Sequence, residues 1–241
     1  MPWLAESVRL TAFATDTATL AVKDWQTLIG SPPALVQNMR EVQVLRQESG
    51  AVPGEPDTTL VMAIQPTRAD IALTPVLRSP NSAPKTLGNL KDALTKLQNY
   101  FLNWLGDWNS ITRLAIGATI LVPTKTEAES RDILFSKIQS FSAGGDIVEF
   151  GLQINRPRLS KTIGQLRINR LTNWQTVQYY AMGITNQGQA LASPFPSLAA
   201  QCIIDVNTPQ ATLPLSPTLI KQLLSEMADM TIEIAAKGDV S

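Results

Sequence analysis

Five basic residues, Arg156, Arg158, Lys161, Arg167 and Arg170, fall in a stretch from 154 to 170 that holds no acid. Phosphate binding needs several cations within reach of one backbone. Trp174, Tyr179 and Tyr180 follow closely and offer rings for base stacking. A blander chemistry competes. Pro157 keeps 156–161 out of regular strand, and charges along a hairpin deter edge pairing. If Leu166 and Ile168 face a core, Arg167 faces water and Arg170 lies on the Leu166 face. A solvated hairpin is therefore the first reading, an anion or nucleic-acid contact the second, and an acidic protein partner the third.

Carboxylates come next. Asp146, Glu149 and Asp205 flank or sit in strand-like segments, and paired acids on a sheet hold Mg²⁺ in nuclease-type reactions. Such sites use an acid followed by Glu or Asp, one residue, then Lys. Here Phe150 and Gly151 follow Glu149, so glycine stands where lysine is wanted. Asp205 reads better as a strand-end residue that meets a backbone amide or an arginine. The chain has no histidine, which removes Ser-His-Asp and Cys-His catalysis and imidazole metal sites. Its one cysteine, Cys202, sits in apolar "AAQCIIDV" and reads as a buried thiol. No phosphate-binding or dinucleotide-binding glycine motif occurs. The expectation is no catalytic residue, no cofactor and no metal.

Aromatics gather at Tyr100, Phe101, Trp104 and Trp108. Their spacing beside a leucine stripe favours core and helix-end packing. The rival reading makes Tyr100, Trp104 and Trp108 an interface anchor for a subunit or partner.

The elements that must position these groups alternate strand and helix. Apolar residues make up 44% and charged residues 17% of 241, with zero formal net charge, so the chain is globular and carries no global field toward nucleic acid or anionic membrane. No apolar run reaches the ~18 residues of a membrane span. The start, "MPWLAESVRLTAF", lacks the pattern of a secretory leader, so the cytoplasm is the expected compartment. Residues 7–15 alternate as a strand, and a helix follows to Gly30 with Ala18, Ala21, Trp25 and Leu28 on one face. Strands are expected at 41–47, 58–65 and 69–77, with "ESGAVPGEPD" between the first two as a loop. A long helix over 86–106 carries Leu87, Leu90, Leu94, Leu97, Phe101 and Leu105 as a stripe.

The order then repeats. Residues 111–122 form a strand apolar on both faces, hence central. Thr126 and Glu129 make a capping box for a helix burying Ile133 or Leu134, with Ile138 and Phe141. Strands are expected at 147–154, 164–171, 174–183 and 198–207, with a polar loop at 185–197. Ser216 and Pro217 start the last helix, striped by Ile220, Leu223, Met227, Met230 and Ile234. The expected fold is α+β: mostly antiparallel sheet, long helices packed on one face, and two β-α-β-β-β-α halves at 1–108 and 109–241. The halves either share one continuous sheet or form two lobes.

The strand "ITRLAIGATILV", the later "CIIDVN" and the terminal helix resemble the layout of an uncharacterised, sporadically distributed prokaryotic family of about this length. Its members carry an Arg-then-Gly strand in mid-chain and an aspartate-bearing strand before the last helix. Arg113, Gly117 and Asp205 occupy those places. The chain departs where the family's second arginine, aromatic and asparagine would stand, reading Ala118, Thr119 and Ile120. The resemblance implies a bacterial protein from a variable gene neighbourhood concerned with defence or partner control.

These readings favour a non-enzymatic binding protein that self-associates as a homo-oligomer and engages a protein partner, with no membrane partner. A client-holding chaperone is a variant of that reading. The alternative is a Mg²⁺-dependent nucleic-acid-binding or nuclease-like effector using the 154–170 strip.

Overall fold

The computed structural model describes residues 2–15, 23–37, 46–76, 84–105, 110–138, 150–180, 182–184, 190–192 and 197–238. In chain order these form β1 (Leu4–Ala14), α1 (Trp25–Ile29), β2 (Leu35–Gln37), β3 (Arg46–Val52), β4 (Glu55–Gln65), β5 (Arg68–Pro75), β6 (Gly88–Asn89), α2 (Leu90–Trp104), β7 (Ile111–Thr124), α3 (Glu127–Lys137), β8 (Gly151–Asn155), β9 (Arg158–Leu159), β10 (Arg167–Tyr179), β11 (Met182–Ile184), β12 (Ala190–Ala192), β13 (Ser197–Asn207) and α4 (Pro217–Lys237). The protein is α+β. One large antiparallel sheet runs β2-β3-β4-β5-β1-β7-β13-β10-β8, with β6 added to β1 and β9 to β10, while β11 and β12 pair by themselves. Among the described residues no helix is long and apolar enough to cross a membrane.

Period-two sequence explains the sheet. Val8, Leu10 and Ala12 of β1, Leu114, Ile116, Ala118 and Ile120 of β7, and Cys202, Ile204 and Val206 of β13 point to one side and are buried. They join the helical stripes in a single core cluster. α2 contributes Leu90, Leu94, Leu97, Phe101 and Trp104, and α4 contributes Ile220, Leu223, Met227, Met230 and Ile234. α2 lies against β1 and β5, α4 against β7 and β13, and α3 against β7, β10 and β13. β7 is central, as its two-sided apolarity suggests, pairing with β1 on one side and β13 on the other. The sheet thus runs unbroken from the first half of the chain into the second, through the β1–β7 pair.

Caps fix the helix starts. Asn89 accepts from the backbone N–H of Lys91 (2.8 Å), which starts α2 at residue 90 rather than 86. Thr126 accepts from the Glu129 N–H (3.1 Å), and Glu129 reaches back to the Lys125 N–H (2.8 Å). Leu134 and Ile138 are buried as expected, while Phe141 lies outside the described residues. Ser216 accepts from the Leu219 N–H (3.3 Å), with Pro217 at the first helical position. α1 begins at an Asp24 cap and ends at Gly30, whose φ of 80° suits glycine. Residues 16–22 of the expected first helix lie outside the described residues.

Two expectations need correction. The segment read as a loop, 48–57, is a β3–β4 hairpin turning at Pro53-Gly54, where Gly54 has φ 77°. Small and polar residues suggested a loop, yet Gly50 is required in strand: a Cβ there would come 2.9 Å from the Trp25 ring. The strands read separately at 164–171 and 174–183 join in one strand, β10 (Arg167–Tyr179), which passes through Thr172 and Asn173 because both keep the in–out alternation, while Met182 and Gly183 belong to β11. Residues 41–45 of the expected strand 41–47 and 147–149 of the expected strand 147–154 lie outside the described residues.

Candidate functional site

The outward face of the central strands carries charge where the inward face is mainly apolar. Its residues line up in cross-strand rows. One row runs Ala63, Asp70, Thr11, Ala115, Asn207, Asn169. The next runs Val61, Ala72, Arg9, Gly117, Asp205, Leu171, Asn155. On the other side of the first row stand Gln65, Arg68, Phe13 and Arg113. Three arginines and two aspartates from four strands therefore meet over the β1–β7 pair.

Asp70 is saturated. Its Oδ1 accepts from the Thr11 hydroxyl at 2.6 Å and from Arg68 Nη2 at 2.8 Å. Arg68 Nε stands 2.6 Å from Oδ2, and Arg9 Nε stands 3.8 Å from Oδ1. Arg68 and Arg113 flank Phe13, their guanidinium carbons 5.7 and 4.7 Å from the ring centroid. Arg113 Nη2 donates to Asn207 Oδ1 at 3.2 Å, which also accepts from Asn169 Nδ2 at 3.1 Å. Asn207 Nδ2 in turn donates to Asp205 Oδ1 at 2.5 Å. Arg113 has no ion pair among the described residues, and its Nε is buried without a hydrogen-bond partner. The Arg9 guanidinium lies beside Gly117, where a Cβ would stand 3.5 Å from Nη2.

A second polar group lies further along the same face. Gln201 Nε2 donates to Glu6 (3.0 Å) and to the Tyr179 hydroxyl (2.8 Å), and Gln175 Nε2 donates to Gln201 Oε1 (2.7 Å). Burial first, then the Glu6 carboxylate, pushes the Tyr179 hydroxyl far above its ordinary range, so it holds its proton at neutral pH.

The basic strip spreads rather than converging. Arg170 is 3% exposed on the core side of β10, on the same face as Ile168, and Arg167 is exposed, which matches the facing read from the sequence. Arg158 Nη1 donates to Glu233 of α4 at 2.5 Å. Lys161 is exposed, and its backbone N–H donates to Glu226 Oε1 at 2.6 Å. Arg156 lies half-buried beside β10, its backbone N–H on the Arg170 carbonyl. The turn 160–163 is docked onto α4. Glu226 Oε2 accepts from Ser160 Oγ (2.7 Å) and the Thr162 N–H (3.2 Å), and Ser160 Oγ accepts from the N–H groups of Thr162 and Ile163 (3.0 Å each). A groove between this turn and α4 is lined by Arg158, Lys161, Glu226, Asp229 and Glu233.

Of the aromatic set, Trp104 is buried in the core and Tyr100 packs half-buried against it, while Trp108 lies outside the described residues. Asp146 and Glu149 also lie outside them, so only Asp205 of the three acids is placed; it stands near the end of β13 and meets an asparagine side-chain amide rather than a backbone amide or an arginine. Cys202 is buried and free. Among the described residues no three acid or cysteine side chains group as metal ligands. Arg113, Gly117 and Asp205, singled out by layout alone, do come together on the outward face. Arg9, Phe13, Arg68 and Asp70 complete the cluster; only Arg9 carried a sequence signal, as a charged residue on the outward side of the alternating 7–15 segment, and Arg68 fell outside the strand expected at 69–77.

The comparisons with known proteins are negative: no family model matches the chain, and no curated protein or solved structure matches it.

Proposed function

We propose that this chain is a non-enzymatic cytoplasmic binding protein that self-associates and engages a protein partner through the outward face and the edges of its sheet. One observation carries the reading. Part of the outward face is accessible beside the central pair, where Ile203 of β13 is 39% exposed in a row with Ser7, Thr119 and Asn173. Central strands with an accessible, mixed apolar and charged face suit docking, and the arginines above the β1–β7 pair suit a partner with acidic groups. Self-association is favoured by the β2 edge. Leu35 and Val36 are 49% and 46% exposed there, and among the described residues β2 pairs only with β3.

The reading includes a two-part architecture, with the helices covering one face and leaving the other for contacts. Its support is the strand order. The first half reads β1-β5-β4-β3 outward from the centre and the second reads β7-β13-β10-β8. In each, the first strand is central, the last lies next to it and the second is outermost of the four. Asp70 and Asp205 sit on corresponding strands.

Size-exclusion chromatography with light scattering tests self-association. The expected mass exceeds the 26.2 kDa of one chain and returns to it in Val36→Lys. A photo-crosslinker at position 203 tests the face, with one defined adduct expected in the native host. A single-chain mass at every concentration, together with no adduct at 203, overturns the proposal.

A further inference from the structure

We infer that Arg9 and Arg113 form a two-armed bracket for one oxyanion, a carboxylate or phosphate group, seated over Thr11 and Ala115. The inference uses the face assigned to the partner above and names the chemistry recognised there. The floor is small: Thr11 and Ala115 face each other across the β1–β7 pair and are 2% and 5% exposed. The two guanidinium groups stand on either side of that floor. Arg9 comes from the row on one side and lies between Asp70 and Gly117. Arg113 comes from the row on the other side, over Phe13, and reaches Asn207. Arg9 Nε thus approaches the Asp70 end of the Thr11–Ala115 row, and Arg113 Nη2 reaches its Asn207 end.

Charge accounting selects these two arms and not the third. Arg68 is committed to both oxygens of Asp70. Arg9 is held only at 3.8 Å from a carboxylate already bonded twice, and its side chain is 46% exposed, so it is free to swing. Among the described residues Arg113 meets a neutral amide and an aromatic face, and its buried Nε–H has no hydrogen-bond partner. An unpartnered donor on a half-buried guanidinium is costly, and an oxyanion removes that cost by accepting from the fork. Asn207 contributes a second effect. It stands between Arg113 and Asp205, so the nearest acid of β13 is bonded to the amide rather than to the guanidinium. Gly117 keeps the Arg9 side free of a side chain that would fill the bracket.

The test uses the isolated full chain, so its outcome is independent of any partner. Arginine Nε–H resonances are followed by NMR during titration with sodium phosphate and, separately, sodium acetate, at constant ionic strength set by chloride. The expected result is a saturable shift of the Arg113 signal with one dissociation constant, weakened at least tenfold in Arg9→Gln; in Arg113→Lys, where that signal is gone, the Arg9 signal is followed instead and its shift is weakened at least tenfold. Arg9→Gln alters a half-exposed side chain and keeps the fold. Arg113→Lys keeps the charge and removes the fork. Phosphate binding at least tenfold tighter than acetate assigns the bracket to phosphate groups, and comparable binding assigns it to carboxylates. A shift linear in anion with no saturation, or a saturable shift unchanged in both variants, overturns the inference. Either of those results leaves the partner-binding proposal to its own crosslinking test.

Discussion

Asp70 and Asp205 stand on the two strands that flank the central pair, on the same face, in opposite electrostatic conditions. Asp70 is clamped by Arg68, bonded by Thr11 and approached by Arg9. Asp205 meets one asparagine amide, and the arginine beyond that amide pairs with no acid among the described residues. One flank is internally neutralised. The other leaves a cation and an anion separated by Asn207. The contrast teaches that matching positions in a sheet do not imply matching roles: a satisfied pair holds structure, whereas unsatisfied groups on an accessible face are available to something outside the chain.

The first way to sharpen this contrast removes the inward residues as a cause. Leu10 and Ile116 face each other beneath the cluster and are fully buried. Leu10→Ala and Ile116→Ala should each cost about 3 kcal/mol in urea unfolding. A difference between them above about 1.5 kcal/mol would place the asymmetry in the core instead of the outward face. Next, Asp70→Ala should cost about 2 kcal/mol, because it strands Arg68 and the Thr11 hydroxyl. An effect indistinguishable from that of Asp205→Ala breaks the comparison.

A carboxylate outside both flanks provides a reference. Burial alone would raise Glu226, but hydrogen bonds from Ser160, Lys161 and Thr162 outweigh it and hold the carboxyl below its usual range. At Glu233 the Arg158 hydrogen bond leads the same shift. A folded pKa below the unfolded value, about 4.3, gives stability that is complete above that value and is lost as pH falls through the folded one. Acidification should therefore loosen the turn 160–163 from α4 while neutral pH leaves it docked. Hydrogen exchange at the Lys161 and Thr162 amides should quicken on acidification beyond the intrinsic pH trend, and Glu226→Gln should cost about 1 kcal/mol and flatten that response. Asp205→Ala should cost about 0.5 kcal/mol, since its loss strands only the Asn207 amide. Smallest of all, Gly117→Ala should stay within about 0.5 kcal/mol of the parent, its Cβ meeting Arg9 at an ordinary contact distance. A larger loss would mean that the Arg9 pose is held more tightly than its exposure implies.

Much of the fold was legible because local rules and tertiary packing agree. Thr126 with Glu129, Ser216 with Pro217, and the stripes of α2 and α4 each point to one structure. The β3–β4 hairpin was missed because Gly50 and Ser49 read as loop, while the reason for glycine, the Trp25 ring, comes from another element. The site was less legible than the fold. The basic strip was conspicuous because its cations are close in sequence, yet β10 turns Arg167 and Arg170 to opposite faces and α4 takes Arg158. The outward cluster is the reverse case. Thr11 and Asp70 are 59 residues apart, and Arg113 and Asn207 are 94 apart. Their meeting depends on strand order and register, which no local pattern encodes.

The β1–β7 pair has a kinetic consequence. β1 is made before β7, and one of its two edges has no mate until β7 has been synthesised, about a hundred residues later. A nascent chain leaving the ribosome therefore presents Val8, Leu10 and Ala12 beside an unzipped ladder for several seconds at ordinary elongation rates of about 5–20 residues per second. High contact order of this kind slows folding and exposes the chain to edge-on capture by another copy. Refolding yield should fall with protein concentration more steeply than native stability would suggest.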